Sequence, residues 1–249
     1  HNKYIKLFLE KKIYIFCEKP GGNSIRDLNF LNKIKISQKR SIYINYNFLF
    51  TQQAKLIKKM MNNKKAFGSL SYVELKVTNG ISFKKEFHNN WRFKSKNIFD
   101  QISGNVGSHY INLLLWLFKS LDKKNILKSN INRNNDISHI LLIAGKNIIV
   151  SMYFSYSNPL TNELNLFFSN AILRINDNKI KILKPRDYFN KNKNFIPPPV
   201  WSNVKFNATN EYLVSLEKSI KFFLMKVKYK KKIPIKYFNN ALETLRFFI

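Results

Sequence analysis

The sequence predicts two connected structural units: the end of a doubly wound parallel α/β sheet, and then an α+β domain with an open, mostly antiparallel sheet backed by helices. Three observations support this prediction. Helix and strand patterns alternate over the first 48 residues, consecutive strand patterns follow Met61, and one long apolar helix pattern interrupts those strands. Helix–strand alternation is typical of parallel sheets, whereas consecutive strands joined by short turns are typical of antiparallel sheets.

The first unit, residues 1–48, opens with a helix pattern that leads directly into a strand pattern. Ile13 to Cys17 form a short apolar run that suits a buried strand. Ser24 is a suitable N-cap for a helix running to about Ile36, and Ser41 to Ile44 form the next strand pattern. We therefore expect two strands that are parallel neighbours.

The second unit, residues 49–249, is predicted to hold most of the strands. Turn-forming residues separate six strand patterns, at Tyr72–Thr78, Ser138–Ala144, Ile148–Tyr156, Glu163–Ser169, Ala171–Ile175 and Lys179–Leu183. Four helix patterns accompany them, at Gln52–Met61, Val106–Phe118, Asn210–Val227 and Asn239–Phe248, with an extended proline stretch at Ile196–Pro199. Strands such as Ile148–Tyr156 carry apolar residues on both faces, so we expect the broad face of this sheet to mediate self-association.

The net charge of +30, from 44 Lys and Arg against 14 Asp and Glu, raises the question of an anionic partner. The lysines are scattered through nearly every segment, and the one dense run comprises Lys226, Lys228, Lys230, Lys231 and Lys232. This pattern favours a solvated basic surface. A nucleic-acid-binding protein remains an alternative that rests on charge alone, because we find no recognisable reader motif.

Cysteine content and hydropathy indicate the cytoplasm. The single cysteine, Cys17, excludes an intramolecular disulfide framework and fits a packing role in a reducing compartment. No apolar run approaches the roughly 20 residues that a membrane span needs, and no signal peptide is recognisable, so we expect no membrane partner.

A phosphate-binding turn is the expected companion of such a parallel sheet, and the sequence contains no Gly-x-Gly-x-x-Gly. By the size of these units we expect about 70 further residues upstream, with the chain beginning inside a dinucleotide-binding domain. On that expectation the 249 residues alone would not turn over substrate.

Two clusters contain the candidate functional residues. Glu18, Lys19 and Pro20 follow a buried strand at the position where ligands of open α/β sheets bind, although alone they would indicate only a solvated turn. Asn105, His109 and Asn112 stand about one helical turn apart at the start of the long apolar helix, so their side chains converge on one face if that helix starts early enough. For His109 alone, a satisfied core histidine is an equally good interpretation.

Motif order along nearly the whole chain resembles the glucose-fructose oxidoreductase, inositol dehydrogenase and rhizopine-catabolism (Gfo/Idh/MocA) family of NAD(P)-dependent oxidoreductases. The segments that carry the resemblance are His1, Glu18-Lys19-Pro20, Ile44 to Phe48, Phe67 to Leu70, Trp91-Arg92, Gly107 to Asn112 and Leu115 to Phe118. The resemblance implies that residues 1–48 end a Rossmann-type domain and that residues 49–249 form a substrate-binding and oligomerisation domain. It also implies NAD or NADP as cofactor, with the choice between them open.

Site residues follow from the resemblance position by position. His109 corresponds to the family's base, Lys19 to its orienting and electrostatic lysine, and Asn105 to a position where the family favours aspartate; these three would also bind substrate. The implied cofactor contacts are Glu18, Lys19, Pro20, Asn47, Trp91 and Arg92, and no metal is implied. The family also favours aspartate at Asn112 and an arginine at Leu49.

Two functions remain open from these residues. The first is hydride transfer between the cofactor and a secondary alcohol of a sugar, nucleotide sugar or polyol. The second is a catalytically weakened or silent ligand-binding homologue of the same fold, because the amide of Asn105 cannot carry the negative charge that would support a cationic His109 or Lys19.

Overall fold

Helices and a small parallel sheet form the first unit, as predicted. A computed structural model describes residues 1–89, 97–129 and 136–249, so Trp91 and Arg92 lie outside the described residues. The elements in order are α1 (Asn2–Glu10), β1 (Ile15–Glu18), α2 (Ile25–Lys33), α3 (Ile36–Lys39) and β2 (Ile42–Asn45). β1 and β2 pair in parallel, which places Glu18 opposite Asn45 at their carboxyl ends.

The predicted N-cap explains where α2 begins. The hydroxyl of Ser24 accepts a hydrogen bond from the Asp27 backbone N–H at 3.2 Å, which satisfies a donor that the helix leaves unpaired. α2 ends at Lys33, and a separate short turn, α3, follows where the sequence predicted one helix to about Ile36.

A connecting segment leads into the second unit. It comprises a 3-10 turn (Asn47–Phe50), α4 (Gln52–Asn62) and α5 (Lys64–Phe67), and a second 3-10 turn (Ile81–Phe83) and α6 (Lys85–His88) follow the first long strand. α4 agrees with the helix predicted at Gln52–Met61, and Thr51 caps it by accepting from the Ala54 N–H.

The second unit contains a mostly antiparallel sheet, as predicted, and this sheet has eight strands where six were predicted. Its strands are β3 (Leu70–Thr78), β4 (Leu121–Ser129), β5 (Ile137–Ala144), β6 (Ile148–Ser155), β7 (Thr161–Phe168), β8 (Ala171–Ile175), β9 (Lys179–Leu183) and β10 (Val200–Lys205). Their spatial order is β10-β9-β8-β7-β3-β6-β5-β4. The central pair, β3 with β6, is parallel, and the other neighbouring pairs are antiparallel.

The two strands that sequence patterning missed, β4 and β10, are the edges of this sheet. β10 is exposed along most of its length, and β4 carries Asp122 and Lys128 where a buried strand would carry apolar residues. An edge strand owes its conformation to the one neighbour with which it pairs, so its own side chains need not alternate.

One face of the large sheet is covered by helices. Alternate residues of the central strands, including Leu142, Val150, Met152 and Phe154, are fully buried against α7 (Ile102–Asn105) and α8 (Gly107–Phe118). Gly107 permits this contact, because a Cβ at that position would lie 3.0 Å from the Phe154 ring. The opposite face leaves apolar side chains in solvent.

Two C-terminal helices join the units. α9 (Ala208–Lys228) packs on the parallel sheet, where Phe223 meets Phe16 at a ring-centroid distance of 5.3 Å. α10 (Ile235–Phe248) packs along α8, and it begins directly after Pro234, four residues before the predicted start. Proline has a φ value that suits the start of a helix. Within the described residues, no helix is both long and apolar enough to span a membrane.

Candidate active site

Lys19 stands at the carboxyl edge of the parallel sheet. It follows Glu18, the last residue of β1, whose carboxylate accepts a hydrogen bond from the Asn45 side-chain amide at 3.2 Å. Asn45 is the last residue of β2, so this bond ties the two strand ends together. The cluster lies where open α/β sheets bind their ligands.

The ammonium group of Lys19 reaches across to the second unit. Its Nζ donates to the backbone carbonyl oxygen of Asn105 and, at 2.9 Å, to the Oδ1 of the Asn105 side chain. Gly104, which precedes Asn105, packs against the backbone of residues 98 and 99, because a Cβ at that position would lie 2.1 Å from the carbonyl oxygen of Ile98. A lysine and an asparagine that are 86 residues apart in sequence thus form one polar cluster.

Tyr156 completes the cluster, although no sequence observation had singled it out. Its hydroxyl accepts a hydrogen bond from Nδ2 of Asn105 at 3.2 Å. Tyr156 directly follows the last residue of β6, and its side chain is buried. An ammonium group can only donate, so the Asn105 oxygen faces Lys19 and the amide nitrogen faces Tyr156. The orientation of Asn105 is therefore fixed from both sides.

His109 lies in the first turn of α8, enclosed by aromatic rings. Its imidazole stacks on Phe48 with centroids 4.5 Å apart and meets Tyr46 edge-on at 5.9 Å. Its Nδ1 is buried and has no hydrogen-bond partner. Burial and, second, the positive charge of Lys19 lower the pKa of His109 to about 3. The imidazole is therefore neutral at physiological pH.

The convergence of Asn105, His109 and Asn112 on one helix face required the long helix to start before Asn105, and this condition is not met. α8 begins at Gly107, so Asn105 belongs to the preceding short helix. Asn112 is buried against α10, where its side-chain amide donates to the Thr244 hydroxyl at 2.9 Å and its backbone carbonyl oxygen accepts from the Asn240 side chain. These contacts give Asn112 a packing position between two helices.

The other predicted contact residues are less well connected to this cluster. Asn47 is buried and donates to the Ser215 hydroxyl on α9 at 2.8 Å. Pro20 directly follows Lys19, and Leu49 lies in the 3-10 turn beside Phe48. Trp91 and Arg92, as noted, lie outside the described residues.

The comparison with known proteins identifies the fold. No protein-family model matches the chain, and no curated protein matches it. A dehydrogenase from Clostridium difficile is 15% identical with a TM-score of 0.73, over 100% of this chain and 73% of that one. Myo-inositol 2-dehydrogenase from Lactobacillus plantarum is 17% identical with a TM-score of 0.75, over 99% of this chain and 72% of that one. A 3-ketoreductase from Actinomadura kijaniata is 14% identical with a TM-score of 0.74, over 98% of this chain and 72% of that one. The chain has the fold of these dehydrogenases.

This similarity confirms the fold that the Gfo/Idh/MocA resemblance implied: a small Rossmann-type parallel sheet followed by a large, mostly antiparallel one. The one cysteine of the chain, Cys17, is buried. Burial raises the pKa of the Cys17 thiol to about 11, so the thiol stays protonated and packs in the core. Over residues 1–89, 97–129 and 136–249, no three His, Cys, Asp or Glu side chains are grouped so as to hold a metal ion.

Proposed function

We propose that the chain carries the reacting groups of an NAD(P)-dependent oxidoreductase that acts on a secondary alcohol of a sugar, nucleotide sugar or polyol. The observation that carries this proposal is the neutral His109, whose buried Nδ1 has no partner, beside the Lys19 ammonium at the carboxyl edge of a parallel sheet. Two neighbours in fold support it: one is a myo-inositol 2-dehydrogenase, and another was crystallised with NADP and TDP-benzene.

The residues fit the reacting end of a nicotinamide dinucleotide, since an unsatisfied buried nitrogen and a lysine lie together at the sheet edge where such ligands bind. A bound NAD or NADP would supply the hydride acceptor. His109 accepts the proton of the substrate hydroxyl, and Lys19 stabilises the negative charge that develops on that oxygen. Asn105 holds the ammonium group in place, and Tyr156 fixes the orientation of Asn105.

Further assignments belong to the same proposal. Glu18 and Pro20 flank Lys19 and would contact the cofactor, together with Asn47, Trp91 and Arg92. The domain division at residue 48, and a cytoplasmic location consistent with a free, buried Cys17, are also proposed.

Asn105→Asp is expected to maintain or raise the rate of hydride transfer. A carboxylate in contact with Lys19 would favour the cationic forms of Lys19 and of a proton-accepting His109, whereas the amide supplies only a dipole. The rate is measured with NAD and NADP over a panel of polyols, sugars and nucleotide sugars, on the protein expressed from its complete coding sequence. Asn62→Asp, at the exposed end of α4, is the control for an added charge.

Two outcomes would argue against this proposal. Dinucleotide binding without turnover of any panel member, in both the wild-type protein and the Asn105→Asp variant, would favour the silent ligand-binding homologue. Failure to bind either dinucleotide would remove the oxidoreductase assignment.

Self-association through the open face of the large sheet is the remaining part of the proposal. Neighbouring strands align an apolar row across that face: Ile143, Ile149, Tyr72, Phe167 and Ile172 occupy successive paired positions from β5 to β8. Ile149 is 48% exposed in the single chain. A continuous apolar row of this kind is typical of an interface.

Ile149→Glu is expected to shift the protein towards the monomer, because a second copy would have to bury the introduced carboxylate. Sedimentation velocity measures the change. Leu160→Glu, at a 73% exposed side chain outside the strands, is the matched control and should leave the distribution unchanged. A wild-type protein that is monomeric at high micromolar concentration would contradict the proposal.

A further inference from the structure

A cavity of about 150 Å³ lies between α8, the 3-10 turn at residues 47–50, the strands β7 and β8 and the first turn of α9. We call it the Glu211 cavity, after the acidic residue in its wall. None of the described residues that line it is Lys19, Asn105 or His109. Phe48 is shared by the cavity and the candidate active site, because its ring lines the cavity and also stacks on His109.

The charge of the Glu211 cavity is opposite to that of the chain. The protein carries 44 lysines and arginines, yet no lysine, arginine or histidine is found among the described lining residues. Glu211 is only 5% exposed, and its carboxylate accepts a hydrogen bond from the Gln52 backbone N–H at the start of α4. A buried carboxylate is costly unless it is well compensated, so this wall attracts a cation.

A second acceptor in the same wall lacks a donor. The Oε1 of Gln53 is buried without a hydrogen-bond partner, and Gln53 lines the cavity. Leaving such an oxygen unsatisfied costs free energy that a ligand N–H would recover. Burial and, second, the carboxylate of Asp177 raise the pKa of Tyr110, another lining residue, so its hydroxyl stays protonated.

Aromatic rings form the rest of the recognition surface. Phe48 meets Tyr110 at 5.2 Å with perpendicular planes and Tyr212 at 6.4 Å with planes 80° apart, and all three rings line the cavity. Rings set at right angles around a space are suited to cations through their electron-rich faces. The volume matches that of a small ring compound, since cavities of about 150 Å³ accept benzene.

We propose that the Glu211 cavity binds a small primary ammonium compound, whose N–H groups donate to Glu211 and Gln53 and whose carbon chain packs against Phe48, Tyr110 and Tyr212. The proposal does not depend on hydride transfer. It assigns the chain a second ligand site that shares the Phe48 ring with the candidate active site.

Isothermal titration with n-butylammonium tests this site directly, on the protein expressed from its complete coding sequence. We expect saturable binding that 1-butanol, the uncharged analogue of equal length, does not reproduce. Glu211→Gln keeps an acceptor for the Gln52 N–H but removes the charge, and it should weaken butylammonium about tenfold or more, as expected for a hydrogen bond to a charged group. Glu217→Gln, an exposed carboxylate on the same helix, should have no effect.

A second variant covers the case in which Glu211→Gln fails to fold. Tyr212→Leu alters a side chain that is 46% exposed, so folding should be preserved while affinity falls about two- to fivefold through the lost ring contact. Proton NMR should also show a butylammonium-dependent shift of the His109 ring signal, with that of His139 unchanged. The absence of saturable binding, or equal affinity in wild type and Glu211→Gln, would overturn the proposal.

Discussion

Alanine at His109 or Lys19 is expected to lower the rate of hydride transfer by about a hundred- to ten-thousand-fold, the usual contribution of a positioned acid–base group. His109→Ala removes the neutral imidazole whose Nδ1 has no partner. Lys19→Ala removes the ammonium group that Asn105 holds at the sheet edge. Steady-state kinetics on the protein expressed from its complete coding sequence measure kcat and KM separately.

The control for these two substitutions is His139→Ala. His139 lies on β5, where its Nε2 and the Ser151 hydroxyl are 2.8 Å apart, away from the polar cluster. Its replacement should leave kcat unchanged. A kcat for His109→Ala within about threefold of wild type would show that His109 is not the base, because a working base contributes far more.

The protein is also expected to lose stability as pH falls below about 6.5, and His109 should cause a separable part of this loss. The pKa of His109 is about 3 in the folded protein, well below the usual value near 6.5 that applies after unfolding. The unfolded state therefore binds the proton first. The contribution of a neutral His109 to the free energy of unfolding is fully present above about pH 6.5. It decreases by about 1.4 kcal/mol for each pH unit down to the pKa of His109 in the folded protein.

Urea unfolding of wild type and His109→Gln between about pH 4 and pH 7 measures this contribution. Glutamine has no proton to gain in this range. The unfolding free energy of wild type should therefore fall relative to that of His109→Gln as pH falls. Parallel pH profiles for wild type and His109→Gln would mean that the imidazole is solvated in the folded protein.

The parts of the fold that sequence patterning predicted are those with local signals. The apolar run at Ile13–Cys17, the Ser24 cap and the alternation in Ile148–Tyr156 each correspond to an element of the structure. β4 and β10 gave no such signal, because an edge strand is specified by the neighbour with which it pairs. Helix periodicity could not decide whether Asn105 shares a helix with His109, and in the structure a break at Val106 separates two helices.

The candidate site was predictable only where a motif marked it. Lys19 and Asn105 were singled out by motifs that resemble those of a known family, and the structure brings these two residues into contact. Tyr156 and the rings around His109 carry no local mark, because their positions depend on β6 and the 3-10 turn reaching the same place in space. Such contacts join segments that are distant in sequence, so they cannot be predicted from local patterns in a single sequence.

Transfer of deuterium tests the central claim most directly. The protein is incubated with NAD or NADP and with polyols deuterated at the carbinol carbon, and the reduced dinucleotide is analysed by mass spectrometry. We expect the deuterium to appear on the nicotinamide ring with wild type or Asn105→Asp, and to be lost with His109→Ala. Bound dinucleotide that acquires no deuterium from any substrate, in either the wild-type protein or the Asn105→Asp variant, would contradict the assignment of Lys19 and His109 to hydride transfer.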